Sequence, residues 1–182
     1  MLKSFIVTGA SATGKSTLLK NVVRFGYRVL PSYTTRQPRL GEKDGEDYVF
    51  LSEADFLGKN GSGEILEEDV SSCFIKDSGV YYGTPSFWVS EVSDGGVVGI
   101  AMTLPGAEKL HHMTGVAWFH LVCSEIERYT RLRYRGHTDE EIGIRLHTGM
   151  WFRDIPKCAI ILDTSETSPT LTAQDILNMV GI

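Results

Sequence analysis

The residues with the clearest chemistry lie in a glycine-rich segment near the amino terminus. Gly9 to Ser16 reads GASATGKS and matches the pattern G-x-x-x-x-G-K-[ST]. Glycines let the backbone wrap closely around a phosphate, successive N–H groups converge on it, and Lys15 can reach the β and γ oxygens. The segment therefore predicts a nucleoside triphosphate site, with Mg²⁺ on the Ser16 hydroxyl. The predicted contacts are Gly9, Ala10, Ser11, Ala12, Thr13, Gly14, Lys15, Ser16 and Thr17.

The sequence on either side of this loop fits the elements that such a site needs. Residues 5–7 form a short apolar run typical of a buried strand, and residues 16–24 carry apolar side chains at helical spacing before Gly26. The alternative is a glycine-rich turn with a surface lysine. The order strand, loop, helix favours the phosphate site over that alternative.

A second basic segment follows the first helix. Arg36 and Arg39 are three residues apart, Pro38 makes the segment between them rigid, and the Tyr48 hydroxyl comes next. Guanidinium groups bind phosphate through paired, charge-assisted hydrogen bonds, so this segment predicts a site for a second phosphate. The alternative is a charged loop that only contacts solvent.

A third group of cations lies in the carboxyl-terminal half. Three of its four arginines fall on one face of a predicted helix, at 128, 131 and 135. Like charges crowd unfavourably without an anion, so the cluster predicts contact with the phosphoryl group in transfer. A solvated helix face and a nucleic-acid surface are the alternatives, and the net charge of -5 disfavours the latter. The cluster is Arg128, Arg131, Arg133 and Arg135.

Composition excludes several classes of protein. A chain of 182 residues with 42% hydrophobic residues predicts one folded domain. Three cysteines without a CxxC pair and five histidines without metal spacing predict neither a disulfide framework nor a zinc site. The apolar run at the amino terminus is too short for a signal peptide or a membrane span. We therefore expect a cytoplasmic protein that binds neither a membrane nor nucleic acid.

Predicted strands and helices alternate along the chain. Further strands are predicted at 28–30, 97–102, 116–122 and 159–162, and helices at 107–112, 124–134 and 175–180. A brief helix is predicted after Ser52, and Thr138 with Glu141 forms a capping box for another. This alternation predicts an α/β fold, a mainly parallel sheet with helices on both faces and ligands at the carboxyl ends of its strands.

Residues 34–50 read TTRQPRLGEKDGEDYVF, which resembles the signature T-T-R-x-P-R-x-G-E-x-x-G-x-D-Y-x-F of the guanylate kinase family. Residues 81–84, YYGT, are similar to the family's Y-Y-G-[ST]. The resemblance implies transfer of the ATP γ-phosphoryl group to a nucleoside monophosphate, GMP or dGMP by default. It also implies a P-loop core at 1–31 and 97–182 with a lid at about 128–145, an acceptor-binding insertion at 32–96, and one folded domain overall.

The resemblance also implies roles for individual residues. Lys15 and the lid arginines Arg131 and Arg145 are the implied catalytic residues, with Arg135 a lesser candidate, and Mg²⁺ is the implied metal. The adenine of ATP is implied near residues 163–164. The partners are then small nucleotides, and the protein is a monomer or homodimer. The implied acceptor contacts are Ser32, Arg36, Arg39, Tyr48, Tyr82, Thr84 and Thr103.

The chain departs from the family's pattern where the base is read. A gap-free count places Cys73 at the family's guanine-binding glutamate, and Ala101 and Thr103 at the two aspartates of its D-x-D. A shifted loop would offer one of the acids at 67–69 instead. The substitutions predict relaxed base choice. A kinase of another phosphorylated small molecule, such as ribose bisphosphate, is one alternative function, and a non-catalytic interaction module is another; the intact residues 14–16 disfavour the module.

Overall fold

A computed structural model describes residues 3–39, 41–66, 80–94, 98–148 and 155–180. The strands are β1 (Phe5–Gly9), β2 (Arg28–Val29), β3 (Ser32–Thr34), β4 (Tyr48–Phe50), β5 (Tyr82–Gly83), β6 (Val98–Ala101), β7 (Ala117–Val122) and β8 (Ile160–Asp163). The helices are α1 (Lys15–Val22), α2 (Glu53–Gly61), α3 (Trp88–Ser93), α4 (Leu104–Thr114), α5 (Glu125–Tyr134), α6 (Asp139–Thr148) and α7 (Pro169–Val180).

Five strands form a parallel sheet in the order β2-β6-β1-β7-β8. β1 lies in the middle and all five of its residues are buried. A strand covered on both faces needs a continuous apolar run, which is what Phe5, Ile6 and Val7 supply. The predicted parallel sheet is confirmed.

Helices cover both faces of this sheet. On one face, Leu18 of α1 and Ile176 of α7 pack against Phe5 and Phe119. On the other face, Leu110 of α4 belongs to the cluster that contains Ile6, Trp88 and Trp118. Because alternate residues of β1 and β7 point to opposite faces, each strand contributes to both clusters.

A smaller sheet lies within the sequence between β2 and β6. Its order is β4-β3-β5, with β3 parallel to β4 and antiparallel to β5. Ser52 caps α2 by accepting the Asp55 N–H at 3.1 Å. α2 continues through Gly58 to Gly61 and is longer than the brief helix predicted. The division into a core and an insertion at 32–96 remains a prediction.

The helix pair α5 and α6 packs on the glycine-rich loop. Ser124 caps α5, and the predicted capping box of α6 is present, with the Thr138 N–H donating to Glu141 at 2.8 Å. Leu132 and Ile142, both buried, pack against the Ala12 methyl group. The loop is therefore fixed to both the central sheet and this helix pair.

Besides α2, three helices differ from the sequence prediction. α4 begins earlier than predicted because the Thr103 hydroxyl accepts the Gly106 N–H at 3.3 Å, with Pro105 in the first turn. α7 begins at Pro169 instead of Asp175. α3 was not predicted; its first residue, Trp88, is fully buried and fixes this short helix to the core. Within the described ranges, no helix combines the length and apolarity needed to cross a bilayer.

Candidate active site

The glycine-rich loop connects the end of β1 to the start of α1, as the motif predicts. Gly9 has φ 147°, and a Cβ there would lie 2.5 Å from the Leu121 carbonyl oxygen, so no larger residue fits. Gly14 has φ 99° and Ala12 φ 67°, both left-handed conformations. The loop therefore curls over the carboxyl edge of the sheet with its backbone held in a fixed shape.

Lys15 folds back over the loop. Its ammonium donates to the carbonyl oxygens of Gly9 at 2.6 Å and Ala10 at 2.9 Å. Burial lowers the pKa of Lys15 to about 7, and the positive charges of Arg128, Arg135 and Arg39 add to the effect. Arg128 lies on α5, Arg135 at its carboxyl end, and Arg39 in the basic segment at residues 36–48, which we call the acceptor segment. The site therefore gathers positive charge from distant parts of the sequence.

Arg128 has a structural role. Its side chain is buried, its Nε donates to the Ser11 carbonyl at 2.9 Å, and its Nη2 donates to the Arg145 carbonyl at 2.8 Å. These bonds join the loop to α6. The cluster argument placed Arg128 on the phosphate-facing surface, but here backbone carbonyls satisfy this guanidinium.

Arg131 is also bound to the loop. Its Nη1 donates to the Ala12 carbonyl at 3.1 Å, its Nη2 to the Thr164 carbonyl at 2.6 Å, and its Nε to Glu127 at 3.0 Å. Arg131 therefore connects α5, the loop and the segment after β8. Contact with a transferring phosphoryl group requires it to exchange some of these bonds.

Arg135 and Arg145 lie closer to the acceptor segment. The pKa of Arg135 is lowered by burial and by the charges of Arg131 and Arg145. The pKa of Arg39 is lowered by burial and then by Arg36 and Arg145. Cations from the acceptor segment, α5 and α6 therefore share one volume, whereas Arg133 lies apart, half-exposed and paired with Asp139 at 3.2 Å.

Glu42 organises the acceptor segment. Its two carboxylate oxygens accept from Arg36 Nη1 at 2.9 Å and Nη2 at 3.0 Å, and it also accepts the Arg39 N–H at 2.8 Å. The Arg36 guanidinium lies 5.3 Å from the Tyr48 ring centroid. Burial, together with the neighbouring Tyr82 hydroxyl, raises the pKa of Tyr48 to about 12, so its hydroxyl remains a hydrogen-bond donor at neutral pH.

The other predicted acceptor contacts fall into two groups. Ser32 donates to the Ala101 carbonyl at 3.0 Å. The Tyr48 and Tyr82 ring centroids are 6.1 Å apart, so Tyr82 lies beside the ring that the Arg36 guanidinium contacts. Thr84 is fully buried, with its carbonyl accepting the Leu66 N–H at 2.8 Å, and Thr103 caps α4. Cys73 and the acids at 67–69 lie outside the described residues.

Two clefts open beside the loop. The first, of about 440 Å³, lies between α1 and α5, and we call it the α1–α5 cleft. The second, of about 600 Å³, lies between α1 and the 41–48 segment. The first is lined by Thr13, Gly14, Thr17, Tyr134, Arg135 and Thr164, among others, and the second by Ser16, Lys20, Ser32, Asp47, Tyr48 and Ala101, among others.

A salt bridge of 2.8 Å between Lys20 on α1 and Asp47 joins the two walls of the second cleft. Sequence reasoning did not identify this pair, although Asp47 lies in the signature. The bridge fixes the acceptor segment to the helix that begins with Lys15. Both clefts are lined by residues of α1.

A buried polar network beneath the loop was also missed. Trp118 Nε1 donates to the Thr8 hydroxyl at 2.9 Å, and that hydroxyl lies 2.7 Å from His120 Nδ1. Because Trp118 can only donate, the Thr8 hydrogen is available for His120 Nδ1, which places the imidazole proton on Nε2. Burial and the Lys15 charge lower the pKa of His120 to about 4, so it stays neutral at physiological pH.

The side chains present fit a magnesium site of the kind completed by phosphates. Among the described residues, no group of three His, Cys, Asp or Glu side chains could hold a metal alone. Ser16, in the first turn of α1, has a hydroxyl to which no described residue bonds. Mg²⁺ takes few protein ligands beside phosphate and water oxygens, so one hydroxyl suits it.

Comparison with known proteins identifies relatives of this chain in one family. The sequence profile of the guanylate kinase family matches residues 1–103. A guanylate kinase of Protochlamydia amoebophila is 41% identical over 87 residues, which span 47% of this chain and 41% of that protein. A guanylate kinase of Prochlorococcus marinus strain MIT 9312 is 32% identical over 144 residues, 76% of this chain and 75% of that protein.

A solved structure extends the similarity to the whole fold. The crystal structure of guanylate kinase from Anaplasma phagocytophilum superposes with a TM-score of 0.64 and 25% identity, covering 99% of this chain and 87% of that one. The chain thus has the family's profile over more than half its length and its fold throughout. It belongs to the guanylate kinase family.

Proposed function

We propose that this protein is a nucleoside monophosphate kinase that transfers the γ-phosphoryl group of ATP, with GMP as its default acceptor. The observation that carries the proposal is that Lys15 is buried close to two cations from distant parts of the sequence, Arg39 and Arg135, whose charges both lower its pKa. The three residues come from the glycine-rich loop, the acceptor segment and α5. A kinase of this class must bring the phosphates of two substrates together. The three cations lie close enough to one another to bind both.

The convergence is costly unless anions are present. Desolvated like charges repel strongly because the low dielectric of a cleft screens them little. The pKa of Lys15 is lowered first by burial and then by the positive charges of Arg128, Arg135 and Arg39. The phosphates of a nucleoside triphosphate and a monophosphate supply the missing negative charge, so the site is built for both together.

Each side chain has a defined part in this scheme. Lys15 exchanges its bonds with the Gly9 and Ala10 carbonyls for β and γ oxygens of ATP, and the Ser16 hydroxyl would hold Mg²⁺. The metal, when bound, neutralises charge on the phosphates. Arg36 and Arg39 hold the acceptor phosphate, and the Tyr48 hydroxyl donates to it.

The lid arginines act on the group in transfer. In this scheme Arg131 and Arg145, with Arg135 as the lesser candidate, neutralise the equatorial oxygens as the γ-phosphoryl group leaves ADP. This chemistry depends on positioning and charge and not on a strong general base. The neutral His120 beneath the loop adds no proton transfer to the scheme.

The acceptor base is assigned from the relatives. The similar proteins named above are guanylate kinases, which supports GMP as the default, and dGMP is a further expected acceptor. The cytoplasmic location and a monomeric or homodimeric state remain predictions.

A coupled assay of ADP release tests the proposal. Wild-type protein with Mg²⁺, ATP and GMP should turn over, and Lys15→Ala should lose turnover while its circular dichroism spectrum and melting transition stay native. Lys157→Ala, an exposed lysine away from both clefts, is the control and should behave as wild type. A folded Lys15→Ala protein with wild-type turnover would remove the loop from the mechanism, and a non-catalytic module would show no turnover at all.

A further inference from the structure

We propose that Tyr134 stacks on the base of the nucleoside triphosphate donor, and that the α1–α5 cleft beside it accepts adenine and guanine with similar affinity. This inference rests on the proposed function, because it takes the glycine-rich loop as the triphosphate site. It goes beyond that function in naming the residue that holds the donor base and the range of donors.

The α1–α5 cleft continues directly from the loop. Thr13 and Gly14 of the loop and Thr17 of α1 form one side of it. A triphosphate held by the loop therefore extends its nucleoside into this space of about 440 Å³. That volume lies in the range of small-molecule sites.

Tyr134 is the aromatic residue of this cleft. It is the last residue of α5, its side chain is 94% exposed, and no described residue forms a hydrogen bond or ring contact with it. A free aromatic ring at the edge of a nucleotide cleft offers a stacking surface. Tyr129 on the same helix does not line the cleft, and its hydroxyl donates to Asp139 at 3.3 Å.

The polar side chains of the cleft are mainly threonines whose hydroxyl hydrogens are already used. Apart from Thr17 in the first turn of α1, each threonine hydroxyl of the cleft donates to a backbone carbonyl, which leaves its oxygen as a weak neutral acceptor. These bonds are Thr13 to Ala10 at 3.0 Å, Thr130 to Ile126 at 3.0 Å, Thr164 to Thr13 at 2.8 Å, Thr167 to Asp163 at 3.3 Å and Thr172 to Ser168 at 3.1 Å.

The backbone polar groups of Thr164 are also occupied by hydrogen bonds within the protein. Its N–H donates to the Val122 carbonyl at 2.9 Å, and its own carbonyl accepts from Arg131 at 2.6 Å. The other donors of Arg131 bond to Glu127 and the loop. Among the described residues, no carboxylate or carboxamide side chain lines the cleft. The Arg135 guanidinium also lines it, and the proposed function assigns that group to the phosphoryl oxygens and not to the base.

Discrimination between the purines needs a fixed donor or a strong acceptor at the base edge. Adenine presents an amino group where guanine presents a carbonyl oxygen. Neutral hydroxyl oxygens would favour the amino group by about one ordinary hydrogen bond, roughly tenfold. Stacking favours neither base, because every base has a π-face.

Binding measurements without an acceptor test the proposal apart from turnover. Isothermal titration calorimetry with Mg²⁺ would give dissociation constants of ATP, GTP and inorganic tripolyphosphate for wild type, Tyr134→Ala, Tyr134→Phe and Tyr129→Ala. We expect ATP and GTP to bind wild type within about tenfold of each other. Tyr134→Ala should weaken both nucleotides by about tenfold or more and leave tripolyphosphate within twofold, whereas the other two variants should match wild type.

Three results would overturn the proposal. One is an ATP preference over GTP above about 100-fold, which would require a base-reading group. Another is unchanged nucleotide binding by Tyr134→Ala. The third is an equal loss of tripolyphosphate binding, which would make the effect structural. If the binding pattern holds but no monophosphate is phosphorylated, the proposed function fails and this inference stands.

Discussion

Arg36 and Glu42 form a two-point ion pair at 2.9 and 3.0 Å, and the same carboxylate accepts the backbone N–H of Arg39. One acidic side chain thus orients both predicted ligands of the acceptor phosphate. Burial opposes ionisation of Glu42, but the hydrogen bonds from Arg36 and Arg39 outweigh it and hold the pKa of the carboxyl below its usual range. Glu42 is therefore ionised at neutral pH and loses its hold only as the pH falls through that lowered pKa.

Glu42→Gln should weaken acceptor binding selectively. The amide keeps the shape of the carboxylate but loses the charge, so Arg36 and the turn at Arg39 lose their orientation. We expect the acceptor KM to rise about tenfold, equivalent to ~1.4 kcal/mol, with the ATP KM within twofold. Steady-state kinetics with each substrate varied in turn measure this. Glu46→Gln, an exposed acid of the same segment paired with Lys43, is the control and should change neither KM; equal shifts in both KM values for Glu42→Gln would refute the positioning role.

ATP binding should be accompanied by proton uptake at Lys15. Its pKa of about 7 in the ligand-free protein leaves most Lys15 side chains neutral at pH 8. Bound phosphates favour the charged ammonium and raise that pKa, so binding at pH 8 should take up about 0.9 proton. A phosphate monoester has its last pKa at about 6, so the nucleotide itself is already ionised there.

Calorimetry in two buffers of different ionisation enthalpy gives the proton count directly. Lys15→Arg retains a permanent charge at the same place and should bind without uptake. Wild-type binding with no proton uptake at pH 8 would show that Lys15 is fully charged before the nucleotide arrives.

Arg39→Ala should separate the two substrate sites. Its guanidinium lies with Arg36, Tyr82 and Arg145 on the acceptor side, so its loss should raise the acceptor KM by about tenfold or more and the ATP KM much less. Arg133→Ala removes a half-exposed arginine of the 128–135 cluster that is paired with Asp139, and it should leave both constants unchanged. Equal effects of Arg39→Ala on both substrates would contradict this division of labour.

The loop and the central sheet could be predicted from sequence because their signals are local. Phe5 to Val7 must be buried on both faces, and Gly9 and Gly14 have backbone conformations that other residues adopt poorly. The Thr138–Glu141 capping box is likewise a contact over three residues. A contact between residues within one helical turn or one loop can therefore be predicted from residue types and their spacing.

Long-range contacts could not be predicted in this way. Arg128 was assigned to an anion from its charge and helical phase, but its partner is a backbone carbonyl 117 positions earlier, and carbonyls carry no sequence signal. The Thr8, Trp118 and His120 network depends on the pairing of β1 with β7. Glu42 and Asp47 stood within the recognised signature, so a search for partners of its basic residues would have identified both.

Base choice should be relaxed if the gap-free alignment holds. Thr103 is used to cap α4 and Ala101 has no polar side chain, so neither supplies the carboxylate that guanine's donors favour. We expect kcat/KM for GMP to exceed that of AMP, CMP, UMP and dTMP by less than about 100-fold, or ~2.7 kcal/mol. The alternative is one of the acids at 67–69, which lie outside the described residues. A preference above about ten-thousand-fold that collapses in Glu67→Ala, Glu68→Ala or Asp69→Ala would establish that alternative.

The most direct test of the central claim is ADP release from ATP with each of GMP, dGMP, AMP, CMP, UMP and dTMP in the presence of Mg²⁺. The convergence of Lys15, Arg39 and Arg135 predicts acceptor-dependent turnover with GMP, and product analysis should find one GDP formed for each ADP released. ADP release that is independent of every monophosphate, or no release with any of them from a folded protein, would contradict the assignment as a nucleoside monophosphate kinase.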